Sequence, residues 1–524
     1  MDTTERIVET PDAEPAAQLS RPVAVLVGVL SVAAALAAGH LVAGFIDPPA
    51  SPLLAVGNTA IDLTPLPLKD FAVRTFGVYD KVVLLLGMGV VLVIVAAVAG
   101  LLSRRRPLPG EILAATVGLL GFLAVLNRPD VGQLGIIAPL ASVVAGVLTF
   151  RWLHGLALPR PDISDQQVDR SRRRFLRTSA GVAVGAGVLG GSGQLLATRV
   201  DVEESRAAVG AVTPAEPLPP VPAGSDFAAD GTPRFITGNR DFYRVDTALT
   251  TPRLRADDWH LKIHGLVDKE ISFSFSDIRN RALVERPVTL TCVSNEVGGE
   301  YISTANWVGV PIRDLLREAG VKPGSDQLFS TSVDGFTAGT PVDALLDPNR
   351  EALLAIGMNG EPLLVEHGFP ARMVVPGLYG YISATKWVVD WELTRFDAKE
   401  GYWIPRGWAA KAPIKTQSRI DRPGGFDTVP AGGVIVAGIA WAQHVGVDKV
   451  EVRMDEGEWR PAQLATEVSV DTWRMWRVRF DVPKGEHKFE VRATDRTGYT
   501  QTDQRARPDP DGATGWHSVV FTAS

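Results

Sequence analysis

Two kinds of material meet near residue 198, and that junction limits what this chain can fold into more than any other feature. Before it, apolar runs occupy roughly 22–46, 81–102 and 132–150, each near the ~20 residues that a helix needs to cross a bilayer. A run at 112–126 sits at the lower limit for a span, and a fifth stretch at 178–197 is Gly-rich and only mildly apolar. Backbone polar groups in lipid must be satisfied within their own segment, so about five helices are expected across 21–197, behind a disordered cytoplasmic tail at 1–20. After residue 198 no run is long enough to span. Roughly 325 residues remain there, enough for two domains.

Arginines set the direction. Arg104, Arg105 and Arg106 follow the second run, and Arg160, Arg170, Arg172, Arg173, Arg174 and Arg177 precede the fifth, whereas the loop at 47–80 carries little positive charge. Arginine-rich loops face the cytoplasm, so five spans place everything after Thr198 outside a multi-pass plasma-membrane anchor. Omitting the short third run together with the fourth leaves that parity unchanged. "SRRRFLR" at 171–177 is an ordinary basic flank on one reading. Paired arginines followed by Phe175, Leu176 and a weak Gly-rich helix also resemble a twin-arginine export signal, which serves proteins folded around a cofactor before export.

The remaining sequence divides into three parts. Residues 198–235, with "PAEPLPPVPAGSD", read as an extended polyproline spacer. Residues 236–398 mix strands with short helices, an α+β pattern. In "DDWHLKIHGLV" Trp259, Leu261 and Ile263 alternate with His260, Lys262 and His264, which makes those histidines a wet strand face with no third metal ligand at useful spacing. "VPIRDLLREAGV" is an amphipathic helix with Ile312, Leu315, Leu316 and Ala319 on one side. From 399 to 524, "KVEVRM", "MWRVRF" and "HKFEVRA" alternate apolar and charged residues between short turns, the pattern of an immunoglobulin-like antiparallel sandwich.

Cys292 is the only cysteine, so no intrachain disulfide can form and the soluble half depends on core burial. A lone cysteine in "VTLTCV" is by default a small buried hydrophobe. Its neighbours change that reading. "NRDFYRVD" from Asn239, "TCVSN" around Cys292, "GMNGEPLLVEHGFPARMVVPGLYGYISATKW" from Gly357 and "GWHSVVF" from Gly515 together resemble the sulfite oxidase family over nearly all of the chain after 236. The resemblance implies a molybdopterin-binding domain with Cys292 as the molybdenum ligand, followed by a dimerisation domain.

A thiolate suits a metal cycling between oxidation states beside the cofactor's own sulfurs, and serine would donate differently. The pterin phosphate calls for fixed cations, which the resemblance assigns to Arg372 as a bidentate clamp and Lys386 as a point charge. It also implies cofactor contacts for Asn239, Tyr243, Arg244, Ser332 and His367, support of the cysteine loop by Asn295, and pocket roles for Tyr379 and Tyr381, which otherwise read as core aromatics.

Departures from the family narrow the substrate. Glu296 and Val297 stand where sulfite oxidases carry an arginine after the cysteine loop, and a carboxylate there would repel a dianion. "GIAW" at 438–441 replaces the family's "GYAW", and Val245 with Asp246 replaces an Asn-His pair.

The expected activity is oxygen-atom transfer on a small sulfur or nitrogen oxide. A methionine-sulfoxide reductase-like repair enzyme and a cofactor-free surface binding module are the alternatives. His40 and His154, the only histidines before residue 198, lie toward opposite membrane faces, and a single cysteine excludes a c-type haem motif, so no haem is expected within the chain. Electrons would pass to a cytochrome or quinone partner. A net charge of −6 gives no electrostatic case for nucleic acid.

Overall fold

The helices of the N-terminal half follow its apolar runs. In the computed structural model the described residues are 17–76, 79–128, 130–159, 165–198, 201–215 and 217–524, in two units, Met1–Arg199 and Val200–Ser524. Among the described residues five helices are long and apolar enough to cross a membrane: Arg21–Ile46, Asp80–Leu102, Leu108–Leu126, Ile137–Ala157 and Asp165–Ala197. The first packs against the second, fourth and fifth. Its approach to the second depends on small residues, because a Cβ on Gly28 would lie 2.0 Å from the Ala96 carbonyl oxygen and one on Gly100 2.0 Å from that of Ala24. Leu86, Val90 and Ile94 of the second helix face outward, as lipid-facing side chains would.

Three expectations change here. Two further helices, Pro52–Leu63 and Leu66–Phe76, occupy what reads as a loop. The short third run gains a turn because Pro107 and Pro109 stand at its start, where a missing N–H costs nothing. Arg170–Arg177 lie on the fifth helix rather than in a loop, since 165–177 holds no glycine or proline to interrupt it. His154 bonds the Ser103 carbonyl and His40 bonds Ser51, so the two sit at opposite ends of the bundle. Residues 1–16 of the expected tail, and Arg160, fall outside the described residues.

Among its described residues the second unit contains four sheets. Strands β1 (His260–Gly265), β2 (Ile271–Ser274), β3 (Val284–Thr291), β4 (Ile302–Pro311), β5 (Gln327–Ser332), β6 (Thr337–Pro341), β7 (Leu353–Met358), β8 (Glu361–Pro362), β9 (Arg372–Val374) and β10 (Val388–Thr394) build two of them. Their orders are β2-β1-β10-β5-β6, with β1 and β10 parallel, and β3-β4-β7-β8, with β9 on β7. Trp259, Trp307, Trp387 and Trp391 are buried within this half. Helix Ile312–Ala319 buries the four residues its periodicity selects.

Strands β11 (Gln417–Arg422), β12 (Thr428–Val429), β13 (Gly432–Trp441), β14 (Val447–Met454), β15 (Arg460–Pro461), β16 (Gln463–Leu464), β17 (Arg474–Val482), β18 (Gly485–Asp495) and β19 (His517–Ala523) form the other two sheets, β11-β13-β17-β16 and β12-β19-β18-β14-β15. One core with Trp476, Phe480, Phe489 and Phe521 joins these two sheets.

The polyproline segment is not a free spacer. Val202–Val209 forms a helix capped by Asp201, and Arg206 donates to the Leu363 carbonyl at 2.9 Å. Val212, Phe227 and Phe235 are buried, and Arg477 of β17 pairs with Asp230 at 2.6 Å. An extended backbone has no internal hydrogen bonds, so its polar groups and its scattered apolar side chains are all available to neighbours. Here they bind both halves of the unit.

Candidate active site

Cys292 begins the turn that follows β3. Its N–H donates to the Tyr301 carbonyl at 3.0 Å, the Asn295 N–H donates to the Cys292 carbonyl at 3.1 Å, and Asn295 Oδ1 accepts from the Tyr301 N–H at 2.9 Å. Asn295 therefore closes the loop. Cys292 is 8% exposed, and burial pushes its thiol pKa up, partly offset by hydrogen bonds from Ser294. Such a thiol stays protonated unless a cation draws the proton off.

The cysteine lies in the wall of a cleft that opens to solvent and is lined mainly by apolar and aromatic side chains with a few polar groups, the make-up of a small-molecule site. Of the expected residues, Tyr243, Ser332, His367, Arg372, Tyr381 and Lys386 line it with Cys292. Arg372 is 5% exposed and donates to the Met373, His367 and Ala384 carbonyls at 3.2–3.3 Å, with Trp307 beneath it at 5.0 Å. Burial lowers its pKa to about 10. Lys386 Nζ donates to Asp246 Oδ2 at 3.0 Å and to the Glu366 carbonyl at 3.1 Å, and burial lowers its pKa to about 8. His367 Nε2 donates to the Asn239 carbonyl at 2.8 Å; burial, then Arg372, holds the ring neutral with a pKa of about 4. Burial, then the neighbouring Cys292, raises the Tyr243 phenol.

Four expected residues stand elsewhere. Asn239 braces the back of the site, bonded through Oδ1 to Asn359 at 2.7 Å. Arg244 turns out to Asp246 and Thr251. Asn295 lies within the cysteine loop. Tyr379 is buried against Lys415 and Gly512 at the boundary with the C-terminal half, where a Cβ on Gly512 would reach 2.4 Å from its hydroxyl. Glu296 is exposed and outside the lining, and the Gly299 N–H closes a turn onto its carbonyl. Trp403 and Trp408 were not anticipated; they come from the connection after residue 398 and line the cleft beside Tyr381, with Trp408 5.7 Å from the Tyr381 ring. The signal available was their density in "GYWIPRGW".

No cluster of three or more His, Cys, Asp or Glu side chains able to hold a metal occurs among the described residues. A metal at Cys292 must therefore arrive with most of its own ligands. The site suits such a group: of its two buried cations Lys386 pairs with Asp246 while Arg372 meets only main-chain carbonyls, Ser332 Oγ is buried without a hydrogen-bond partner, and a thiol waits beside them. A phosphate-bearing, sulfur-ligated metal cofactor answers all three features.

Comparison with known proteins agrees. Residues 248–403 match the oxidoreductase molybdopterin binding domain. The uncharacterized oxidoreductase YuiH of Bacillus subtilis is 35% identical over 150 residues, 29% of this chain and 72% of that protein. Human mitochondrial sulfite oxidase is 30% identical over 319 residues, 50% of this chain and 56% of the human enzyme. The chain belongs to the sulfite oxidase family of molybdopterin-dependent oxidoreductases.

That family membership implies the molybdenum cofactor, and it leaves no support for a cofactor-free binding module. The chain spans little more than half the length of the sulfite oxidase matched. The sulfane dehydrogenase SoxCD of Paracoccus pantotrophus shares the fold, with a TM-score of 0.50 and 23% identity over 59% of this chain and 88% of that one.

Proposed function

We propose that this sulfite oxidase family member is a membrane-anchored, outward-facing enzyme that transfers an oxygen atom to or from a small, uncharged sulfur or nitrogen oxide. The observation that carries this reading is a buried thiol and two buried cations, Arg372 and Lys386, in the lining of one cleft. When bound, the cofactor supplies the two-electron oxygen-atom chemistry. Cys292 is its protein ligand, held by the Asn295 loop; Arg372 and Lys386 hold the phosphate; Ser332 and His367 contact the pterin.

Charge bookkeeping favours an uncharged substrate. The lining carries two cations and two carboxylates, Asp246 and Asp334. With the cations assigned to phosphate, no positive side chain of the lining remains for a dianion such as sulfite. Tyr381, Trp403 and Trp408 offer apolar wall to the body of such a substrate and keep water from it. The same wall supports a second reading, repair of protein methionine sulfoxide, tested by turnover of oxidised peptides with a dye donor. Electrons pass to a cytochrome or quinone partner at the membrane, and the C-terminal half, read as immunoglobulin-like, serves a homodimer.

Metal analysis of full-length protein expressed with molybdate tests the central claim. Stoichiometric molybdenum, lost in Cys292→Ser, is expected. Well-folded wild-type protein without molybdenum would overturn it.

A further inference from the structure

The cysteine loop is gripped from outside its own half of the unit. Just before it, Thr289 N–H donates to the Asp471 carbonyl at 3.0 Å and its hydroxyl accepts from the Trp473 N–H at 2.7 Å. Gln443 Nε2 donates to Thr291 Oγ1 at 2.9 Å, one residue from Cys292. Just after the loop, Arg419 Nη1 donates to the Gly299 carbonyl at 2.8 Å while its Nε is fixed by Asp421 at 2.7 Å. The His517 ring lies against Gly298, where an added Cβ would come within 2.3 Å of Nε2, and Gly298 has φ +81. His517 Nδ1 accepts from the Ile420 N–H at 2.9 Å, which leaves the ring proton on the side facing the loop.

Gln443, Arg419 and His517 stand after β13, in β11 and at the start of β19, all on the sandwich that shares one core. Docking of two domains needs only an apolar seam. Here hydrogen-bonding side chains instead converge on the two ends of one turn, and that turn carries Cys292.

We infer that Arg419, His517 and Gln443 are positioning residues for Cys292, so that the C-terminal half sets the geometry of the metal's protein ligand. The inference rests on the ligand role proposed for Cys292. Burial, with Arg419 and Arg505 nearby, keeps His517 neutral down to a pKa of about 4, so the clamp holds across ordinary pH. Partners that orient a metal ligand in this way commonly carry ~10–100-fold in metal affinity or activity.

The test uses full-length protein carrying Arg419→Met, Gln443→Leu, Arg419→Lys or, as a control on the exposed face of the same sandwich, Lys449→Met. Two readouts are taken: the thiolate-to-molybdenum absorption band of loaded protein, and the rate at which iodoacetamide alkylates Cys292 in protein from molybdate-starved cells. Arg419→Met and Gln443→Leu are expected to shift the band and to raise alkylation about tenfold or more as the loop opens, Arg419→Lys to recover part of each, and Lys449→Met to match wild type.

Arg419 and Gln443 act from separate segments, so a folding defect in one variant leaves the other to decide. Alkylation at the wild-type rate in both would overturn the inference whatever the metal content. Wild-type protein that takes up no molybdenum would instead overturn the ligand role, while the alkylation rates still report the clamp.

Discussion

Replacing Arg372 with methionine separates a binding role from a structural one. The guanidinium is 5% exposed, and its partners are main-chain carbonyls at 3.2–3.3 Å, long for such bonds. Burial lowers its pKa from 12.5 to about 10. Keeping it charged at pH 7 therefore costs the folded protein on the order of 3 kcal/mol, a penalty present at all pH below the folded value. The three long hydrogen bonds and the Trp307 contact return about 1 kcal/mol each.

Methionine fills a similar volume, so the unloaded variant is expected within about 1 kcal/mol of wild type, against ~2–5 kcal/mol for a core truncation such as Leu316→Ala. The loaded protein should behave differently. Losing one buried charged partner of a phosphate weakens its hold by roughly 3 kcal/mol, more than a hundredfold. Molybdenum per chain and denaturant midpoints, measured on both preparations, read the two effects. Wild-type molybdenum content, or an unloaded variant destabilised by more than about 3 kcal/mol, would refute the reasoning and make Arg372 a structural brace.

His367 and His517 titrate near 4 in the folded protein against an ordinary 6.5, so the unfolded chain binds more protons between those values; stability should fall as pH drops from 6.5 toward 4, by up to ~3 kcal/mol for buried His367 and less for half-buried His517. Urea midpoints across that window check the slope, which His517→Gln should flatten. Gly298→Ala combines a clash with the His517 ring and φ +81, and should cost ~1–3 kcal/mol in thermal melts. Gly28→Ala pushes a methyl into the Ala96 carbonyl and should destabilise the protein in detergent by ~1–3 kcal/mol, read as a lower melting temperature.

Local pattern carried much of the fold. The apolar runs, the helix at Ile312–Ala319 and the strands around Val450, Val478 and Val491 are periodic in a single stretch of chain, and each lies where its period predicts. The polyproline segment misled because extended backbone has the same composition whether it is solvated or bound. Glu296 follows the Cys292 turn in sequence yet is exposed and outside the lining, because adjacency along the chain does not determine which side chains meet around a cleft. Tyr379 and Tyr381, two residues apart, divide between the boundary with the C-terminal half and the cleft on the same ground.

From residue order alone came the division into a strongly apolar first part and a mixed remainder, the single thiol, and the motifs that mark the family, because apolar runs, cysteine count and short motifs are properties of neighbours along the chain. Only the tertiary structure decided that Trp403 and Trp408 reach the cleft, that Asp246 is the carboxylate beside Lys386, and that Arg419, Gln443 and His517 meet the cysteine loop across sequence separations of up to 219, that of Gly298 from His517. Contacts between distant segments depend on how sheets pack and turns open, and no local pattern encodes that.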